Sequence, residues 1–549
     1  MHAKIFSATT IGVNAQTVEV EVDLSFGLIN FYIVGLPDTA IKESRRRIQT
    51  ALKNSGVKLP QRKITVNLAP ADLKKEGTLF DLPIAIAILQ AISLLSLSPE
   101  FVQNTIFLGE LSLDGNVRPI KGALAMAYDA FNHLNKKRII VPAENAKEAA
   151  LISGLEVIGI NNLVELIHYL RGEKEIQPTH STWQAHMKKQ HAPSEQTPSE
   201  QTSPEQTSPE QTSPEQTSSE QASSEHQKLL DFSHVKGQRQ AKRALQITAA
   251  GRHNILFIGS PGAGKTMLAQ CLPSIMPPLT FNEVLETSKI YSITGKLNNR
   301  HSLIYHRPFR APHHTISEAG LIGGGSYPQP GEVSLAHHGI LFLDELTEFK
   351  RYTLEILRQP LENHSVSIAR ANQTITFPAN FLLVAALNPC PCGFFGDKKR
   401  RCTCSAKDVQ RYLQKLSGPL IDRIDLQIHI PSLEYESIKS ETKEDCSAKL
   451  FDNVQRAIER QVERFGTQRY NSSMLPNEIE QFCILSATAE GAIKQAFDRL
   501  KLSMRGYHKV LKVARTIADL ENSAIIELPH IQEAVMYRSL EQTLEKMRS

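Results

Sequence analysis

Long apolar runs are missing from this sequence, and their absence excludes a membrane-spanning protein. The most apolar stretch, residues 82–98, is interrupted by Gln90 and several serines. It is shorter than the roughly 20 apolar residues that a spanning helix requires, so we predict a buried helix there. The first ten residues, MHAKIFSATT, lack the charged start and apolar stretch of a secretory signal. Seven cysteines in 549 residues do not suggest a disulfide scaffold. We therefore expect a cytoplasmic protein with no membrane partner.

One acidic segment contains no Lys or Arg. Its negative charge masks, in the net charge of the whole chain, a surplus of positive charge in the other residues. Residues 191–226 contain seven Glu and no Lys, Arg or Asp. Leaving that segment out raises the formal net charge of the rest from +5 to +12. A surplus of this size fits a polyanionic partner. It fits a merely soluble basic surface equally well, so charge alone does not identify the partner.

The same segment lacks the residues that build a core. Between about Ser194 and Ser223 it repeats a five-residue unit such as PEQTS, with no aromatic and almost no apolar side chain. Such a chain does not bury enough surface to offset the entropy of ordering. We predict a low-complexity flexible linker over residues 173–226, and a binding tail is the alternative.

Different patterns of strands and helices flank this linker. In residues 1–172, TVEVEVDLS and RKITVNLAP are typical of strands and LPIAIAILQAISLL of a buried helix. In residues 227–432, the apolar strands NILFIGS, GILFLDE and NFLLVAALN alternate with helical stretches, which indicates a parallel sheet with crossover helices. Residues 433–549 show helical periodicity alone. The sequence predicts a multidomain α/β protein with an α+β domain, a linker, an α/β domain and a helical domain.

The first strand of the α/β domain runs into the motif GSPGAGKT, which satisfies GxxxxGK[ST]. Its glycines let backbone N–H groups point at phosphate oxygens, and the following helix adds the dipole of its N-terminus. Lys265 would reach the β- and γ-phosphates of ATP, and the Thr266 hydroxyl would bind Mg²⁺. The predicted nucleotide-binding residues are Gly259, Ser260, Pro261, Gly262, Ala263, Gly264, Lys265 and Thr266.

The second strand, within GILFLDEL, ends in two adjacent carboxylates, Asp344 and Glu345. Two acids at the end of an apolar strand are costly to bury without a function. We expect Asp344 to hold Mg²⁺ through water and Glu345 to polarise the attacking water. A solvated strand end is the simpler interpretation. With the phosphate-binding motif upstream, the two acids predict an ATPase.

These two motifs resemble those of AAA+ ATPases, and the resemblance implies roles for three further residues. Asn388, at the end of the strand NFLLVAALN, matches the sensor that positions the lytic water. Arg423, in GPLIDRID, matches the arginine finger donated into a neighbouring subunit's site. Arg505, in SMRG, matches the second sensor and would lie over the phosphates of its own subunit. Taken alone, each arginine is better explained as an ordinary surface charge, and their spacing after the two ATPase motifs favours the functional roles.

Two stretches after the phosphate-binding motif resemble the magnesium-chelatase-like branch of AAA+ proteins. Residues 309–317 and 323–336 are similar to its helix-2 insert, and HSVSIARANQTIT is similar to its hairpin before the first sensor. In related helicases both elements point into the pore and grip DNA. Gly323, Gly324 and Gly325 would let the backbone approach a ligand, and Arg370 could reach a phosphate. A structural insert shared by motors that do not bind DNA is the alternative.

The N-terminal domain resembles the proteolytic domain of Lon proteases through Lys75–Pro83 and Phe107–Gly122. The resemblance places Leu79 where Lon has its catalytic serine and Leu124 where it has its lysine. Leucine is neither a nucleophile nor a base. We expect a Lon-like domain without the Ser–Lys dyad, used for binding or assembly.

Four cysteines, Cys390, Cys392, Cys402 and Cys404, fall within fifteen positions. Four thiolates can complete a tetrahedral Zn²⁺ site, and four reduced thiols packed near Asn388 are the alternative. The loop between the pairs carries Lys398, Lys399, Arg400 and Arg401. A zinc-pinned basic tip that contacts the DNA backbone is a coherent hypothesis.

The whole architecture is similar to the YifB/ComM family of magnesium-chelatase-like AAA+ ATPases. The resemblance implies a hexameric ring helicase that uses ATP and Mg²⁺ to drive branch migration of DNA in natural transformation and homologous recombination. The partners would be single-stranded or branched DNA, further copies of the chain, and recombination proteins. The alternative is a chelatase-type remodeller of protein partners. An ATP-dependent protease is disfavoured by Leu79 and Leu124.

Overall fold

The computed structural model describes residues 2–28, 30–73, 75, 77–180, 230–297, 303–325, 328–370, 373–397, 399–432 and 446–538. Most of the predicted linker, Lys398 and the side chain of Arg370 lie outside these residues, as do residues 433–445 at the start of the predicted helical domain. Among the helices described, none has the length and apolarity needed to cross a bilayer.

Residues 2–180 form an α+β region. Its strands are β1 (His2–Ile11), β2 (Asn14–Ser25), β3 (Phe31–Val34), β4 (Lys63–Ala69), β5 (Thr105–Phe107), β6 (Glu110–Leu111), β7 (Val117–Arg118), β8 (Arg138–Pro142) and β9 (Glu156–Ile160). Its helices are α1 (Thr39–Asn54), α2 (Asp81–Ala91), α3 (Pro99–Asn104), α4 (Ala123–Asn132), α5 (Ala143–Ala149) and α6 (Leu163–Leu170).

The main sheet of this region has the order β1-β2-β4-β3, and only β3 and β4 pair in parallel. The alternation of β2 buries Val18, Val20 and Val22 on one face, because successive side chains of a strand point to opposite faces. Helix α2 packs against that sheet and is buried almost throughout, which confirms the predicted buried helix. A second, parallel sheet has the order β5-β8-β9.

Residues 230–432 form an α/β region around one parallel sheet. Its strands are β10 (Ile255–Gly259), β11 (Phe309–Arg310), β12 (Gly323–Gly324), β13 (Gln329–Pro330), β14 (Ile340–Leu343), β15 (Ser365–Arg370), β16 (Gln373–Pro378), β17 (Leu382–Leu387) and β18 (Leu426–Ile430). Its helices are α7 (Arg239–Gly251), α8 (Lys265–Cys271), α9 (Phe281–Ile293), α10 (Glu318–Ile322), α11 (Glu332–Leu335), α12 (Arg351–Ile356), α13 (Arg358–Asn363), α14 (Ala406–Leu413) and α15 (Gly418–Ile421).

The parallel sheet has the order β11-β14-β17-β10-β18. Its three central strands are the apolar runs predicted as strands, and every residue of β14 and β17 is buried. Because all strands run in the same direction, the carboxyl ends of β10, β14 and β17 meet at one edge. The residues that follow these strands are therefore brought together.

Residues 446–538 contain no strand among those described. The helices are α16 (Ser447–Phe465), α17 (Pro476–Phe482), α18 (Ala487–Leu500), α19 (Met504–Leu520) and α20 (Leu528–Met536). The predicted helical segment HKVLKVARTIADLENS lies mainly in α19. These helices share one hydrophobic core with α7 and with one face of the parallel sheet.

The N-terminal region packs directly on the α/β region. Leu124 of α4 and Leu285 of α9 belong to one buried cluster. Beside it, Ser292 Oγ donates a hydrogen bond to the buried Glu148 carboxylate at 3.0 Å, and burial raises the pKa of Glu148. The turn between β1 and β2 also reaches the hairpin β15–β16: a Cβ at Gly12 would lie 2.8 Å from Ile375 Cγ2. The two regions are thus in contact at two places.

Candidate functional site

The loop after β10 has the conformation that its glycines permit. Gly262 and Gly264 have φ of 78° and 89°, in the left-handed region, where a Cβ is unfavourable. A Cβ at Gly259 would lie 2.4 Å from the Ile430 carbonyl oxygen. The loop leads into α8 at Lys265, so its backbone N–H groups and the start of the helix form an anion-binding arrangement.

Lys265 and Asn388 are brought together at the carboxyl edge of the sheet. Lys265 Nζ donates hydrogen bonds to the carbonyl oxygens of Gly259 at 2.6 Å and Ser260 at 3.0 Å, and to Asn388 Oδ1 at 3.0 Å. Burial lowers the pKa of Lys265, and the nearby carboxylates Asp344 and Glu345 act in the opposite direction. The ammonium group is thus held beside the loop by three acceptors.

Thr266 and Asp344 provide adjacent oxygen ligands. The Thr266 hydroxyl donates to Asp344 Oδ2 at 2.7 Å, and Asp344 Oδ1 accepts from the Glu345 backbone N–H at 2.9 Å. Hydroxyl and carboxylate oxygens are the donors that Mg²⁺ prefers. The residues present therefore fit a magnesium ion.

Glu345 follows in a left-handed conformation with φ of 50°, and its side chain is 52% exposed. The His314 ring nitrogen Nδ1 lies 3.6 Å from its carboxylate. His314 was not among the predicted site residues, although it lies in the segment 309–317 that resembles the insert. A cavity of about 310 Å³ is lined by Thr266, Gln270, His314, Asp344 and Glu345, with Phe309, Ala311, Pro312, His313 and Phe342.

Arg423 and Arg505 lie together on one carboxylate. Arg423 Nη2 is 2.5 Å from Glu362 Oε1, and Arg505 donates to the same oxygen. These two guanidinium groups lower the pKa of Glu362. Within the described part of the chain, neither arginine has a hydrogen bond or ion pair with residues 259–266. The sequence did not predict Glu362, the penultimate residue of α13.

The four cysteines converge on one point. Their sulfur atoms all lie within 4.8 Å of one another, with Cys390 Sγ 3.4 Å from Cys392 Sγ and 3.7 Å from Cys402 Sγ. Cys392 N–H points at Cys404 Sγ at 3.4 Å. Sulfurs around a tetrahedral zinc ion, each about 2.3 Å from it, are about 3.8 Å apart. Backbone N–H groups of Phe394 and Thr403 lower the pKa of the Cys392 thiol to about 5. The donor set fits Zn²⁺.

The two elements predicted to grip DNA lie side by side. The predicted hairpin is present as β15–β16, and β12 pairs with β13 in a second, short hairpin. The two hairpins pack against each other at Gly323. A Cβ there would lie 2.4 Å from the Gln329 carbonyl oxygen in its own hairpin and 3.0 Å from Ile368 Cδ1 in the other. This packing leaves no room for a side chain at position 323.

The remaining predicted residues occupy different surroundings. Leu79 is partly buried and Leu124 fully buried in hydrophobic clusters. Lys399, Arg400 and Arg401 lie on the loop between the cysteine pairs, and the Arg400 guanidinium lies 5.1 Å from the Phe394 ring centroid.

Comparison with known proteins gives a consistent result over nearly the whole chain. Family models match at residues 231–438 (magnesium chelatase, subunit ChlI), 20–145 (subunit ChlI of Mg-chelatase) and 444–538 (magnesium chelatase, subunit ChlI C-terminal). The chain is 40% identical to "Competence protein ComM" of Haemophilus influenzae, over 99% of both chains. It is 39% identical to "Uncharacterized protein YifB" of Escherichia coli, over 98% of this chain and 97% of that one. The "Magnesium-chelatase 38 kDa subunit" of Rhodobacter capsulatus is 22% identical over 55% of this chain and 84% of its own length.

Proposed function

The chain belongs to the YifB/ComM family of magnesium-chelatase-like AAA+ ATPases, and from this membership we propose that it is an ATP-driven DNA motor. It works in the cytoplasm as a hexameric ring and promotes branch migration of single-stranded or branched DNA during natural transformation and homologous recombination. Recombination proteins are its further partners. The name of the Haemophilus influenzae relative supports the link to competence.

One observation carries the proposal of DNA as the substrate. The hairpin β15–β16 and the short hairpin β12–β13 pack on each other through Gly323 and Ile368. Strand β15 follows directly on α13, which carries Glu362. Through α13 and Glu362, the two adjacent hairpins are connected to the paired arginines Arg423 and Arg505. Such an arrangement is suited to moving a polymer as ATP is hydrolysed. Gly323, Gly324, Gly325 and Arg370 are the proposed DNA contacts.

We propose the following roles for the residues at the carboxyl edge of the sheet. Residues 259–266 bind the phosphates of ATP, with Lys265 released from its three acceptors to the β- and γ-phosphates. Thr266 and Asp344 would hold Mg²⁺, which would supply positive charge to the phosphate oxygens. Glu345, which lines the cavity and is half exposed, orients and polarises the attacking water. Asn388, already bonded to Lys265, positions the same water.

Arg423 and Arg505 complete a site across a subunit boundary. Arg423 is donated to the nucleotide of the neighbouring subunit, where it neutralises charge that develops on the transferred phosphoryl group. Arg505 shares the carboxylate of Glu362 with Arg423. We therefore assign Arg505 to the neighbour's nucleotide as well, instead of to its own. A ring is required for hydrolysis on this account.

Zinc is the proposed second metal. Cys390, Cys392, Cys402 and Cys404 hold it as a structural ion with no open position, since all four ligands come from the protein. The basic residues Lys398, Lys399, Arg400 and Arg401, between the pairs, are proposed to contact the DNA backbone.

The parts of the chain divide this work as follows. Residues 1–172 serve binding or assembly, because leucines occupy the positions of the Lon dyad. Residues 173–226 tether them to the ATPase domain, 227–432, and residues 433–549 form its helical lid. A chelatase-type remodeller of protein partners is the second candidate, favoured by the match to the magnesium-chelatase subunit.

Strand displacement tests the motor directly. With ATP and Mg²⁺, the purified wild-type protein should extend the joint in a three-strand DNA substrate. The Glu345→Gln variant should not extend it under the same conditions. A remodeller of proteins would leave the joint where it is.

A further inference from the structure

The loop that carries the four cysteines lies against the phosphate-binding loop. It begins two residues after Asn388 and ends at the start of α14. Gly393, with φ of 84°, lies so close to Pro261 that a Cβ there would be 2.5 Å from Pro261 Cδ and 2.7 Å from Cγ. The stretch between the two cysteine pairs is thus in van der Waals contact with the nucleotide site.

One carboxylate fixes this contact. Asp397 Oδ2 accepts a hydrogen bond from the Ser260 hydroxyl at 2.6 Å and a second from the Ser432 hydroxyl. Asp397 Oδ1 accepts from the backbone N–H groups of Lys399 at 2.7 Å and Arg400 at 3.1 Å. These donors, the Ser260 hydroxyl first, lower the pKa of Asp397. Asp397 therefore connects the phosphate-binding loop, the segment after β18 and the cysteine loop.

Regular secondary structure does not hold the described part of the cysteine loop. No helix or strand is present among its described residues, and Pro391, Phe395, Gly396, Arg400 and Arg401 are exposed. Cys390 is buried in the core near β17, whereas the other three cysteines are half-buried. A cross-link at the four sulfurs would close the loop and remove most of the conformational entropy that works against this arrangement.

We infer that Zn²⁺ on the four cysteines holds the loop against residues 259–264 and so sets the affinity of the ATP site, with Asp397 as the positioning residue. The inference rests on the proposed zinc site and on the ATPase activity, and it does not depend on DNA. Zinc in this arrangement supports nucleotide binding instead of chemistry. Loss of zinc or of the Asp397 contact lets Ser260 and Pro261 move, and ATP binding weakens.

Full-length variants test this with two readouts, zinc content by mass spectrometry and the Kd of a fluorescent ATP analogue. Asp397→Asn should keep one zinc per chain and raise the Kd about tenfold, because a charge-assisted hydrogen bond is lost. In steady-state hydrolysis KM should rise by a similar factor and kcat by much less. Asp114→Asn is the matched control, since Asp114 also accepts a serine hydroxyl, from Ser112, far from the site.

Cys402→Ser should lose zinc and raise the Kd to a similar degree, and the double variant should be no weaker than either single one. Zinc loss with an unchanged Kd would overturn the inference and leave the zinc site standing. An unchanged Kd in Asp397→Asn would overturn the role of Asp397, even if Cys402→Ser misfolds. Wild-type protein without zinc would overturn both the zinc site and the inference, whereas the DNA motor is tested separately.

Discussion

Glu362 Oε1 lies 2.5 Å from Arg423 Nη2, and the carboxylate is the shared partner of Arg423 and Arg505. One acid therefore fixes two guanidinium groups that come from different parts of the chain. It also lies three residues before the start of β15, the first strand of the hairpin proposed to grip DNA. The position of the arginines and the position of the hairpin are thus coupled through α13.

Glu362→Gln should lower kcat for ATP hydrolysis about tenfold and change KM less than twofold. The amide keeps an acceptor oxygen but loses the negative charge that fixes the two arginines, and the lost stabilisation is that of the charge that develops in the transition state. Steady-state kinetics on assembled protein measures both. Glu355→Gln is the control, because Glu355 pairs with Arg358 at 3.0 Å on the neighbouring helix. A kcat equal to that of the control would contradict the role of Glu362.

Subunit mixing should show that Arg423 acts across the boundary. Arg423→Ala and Glu345→Gln should each be almost inactive alone. In mixed rings, an intact site of an Arg423→Ala subunit can face the intact Arg423 of a Glu345→Gln neighbour, so hydrolysis should return. Arg505→Ala mixed with Glu345→Gln should behave in the same way. Mixtures as inactive as their components would place the arginines in their own subunit's site.

Stability should fall as the pH falls below 6.5 because of His337. Burial lowers the pKa of His337 from 6.5 to about 4, and His338 and Arg252 act in the same direction while Glu286 opposes them. Between pH 6.5 and 4, His337 binds a proton in the unfolded chain but stays neutral in the folded protein. The stability present above pH 6.5 is therefore lost as the pH falls towards 4. The slope is at most roughly 1.4 kcal/mol per pH unit.

Thermal unfolding between pH 6.5 and 4.5 measures this slope. The two histidines lower the pKa of Glu286 from 4.5. Protonation of Glu286 therefore reduces the free energy of unfolding mainly below pH 4.5, outside the measured interval. His337→Gln should flatten the dependence, since glutamine can still accept from the Asn380 N–H that now bonds to the His337 ring. His133→Gln, at an exposed position, should leave it unchanged. Equal slopes in wild type and His337→Gln would contradict the assignment.

Gly12→Ala should reduce stimulation of the ATPase by DNA. The new Cβ would lie 2.8 Å from Ile375 Cγ2, so the Ile375 side chain or the hairpin β15–β16 that carries it must shift. Gly56→Ala is the matched control: Gly56 also has positive φ, 80°, but no atom lies within 4 Å of the new Cβ. Both variants lose about 1 kcal/mol of stability from strain, and hydrolysis without DNA should stay similar. Equal stimulation in the two would mean that the N-terminal region does not act on the hairpin.

The sequence predicted the parts of the site that depend on strand ends. Lys265, Asp344 and Asn388 follow three apolar strands, and adjacent parallel strands necessarily bring such residues to one edge. Glu362 and Asp397 were not predicted, since each reaches its partner through tertiary packing with no periodic or motif signal. His314 lies in a stretch with a motif signal, but only the tertiary packing shows that it faces Glu345. The buried cluster that Leu124 shares with Leu285 was also missed, because the sequence gives no signal for packing between residues on opposite sides of the predicted linker. The sequence indicated a protease-like position at Leu124, and the fold uses it as core.

ATP hydrolysis with and without single-stranded and forked DNA tests the central claim most directly, with Glu345→Gln as the blank. A DNA motor predicts strong stimulation by DNA in the wild type and none in the variant. Hydrolysis that is lost in Glu345→Gln but indifferent to DNA would contradict the motor and favour the remodeller of protein partners.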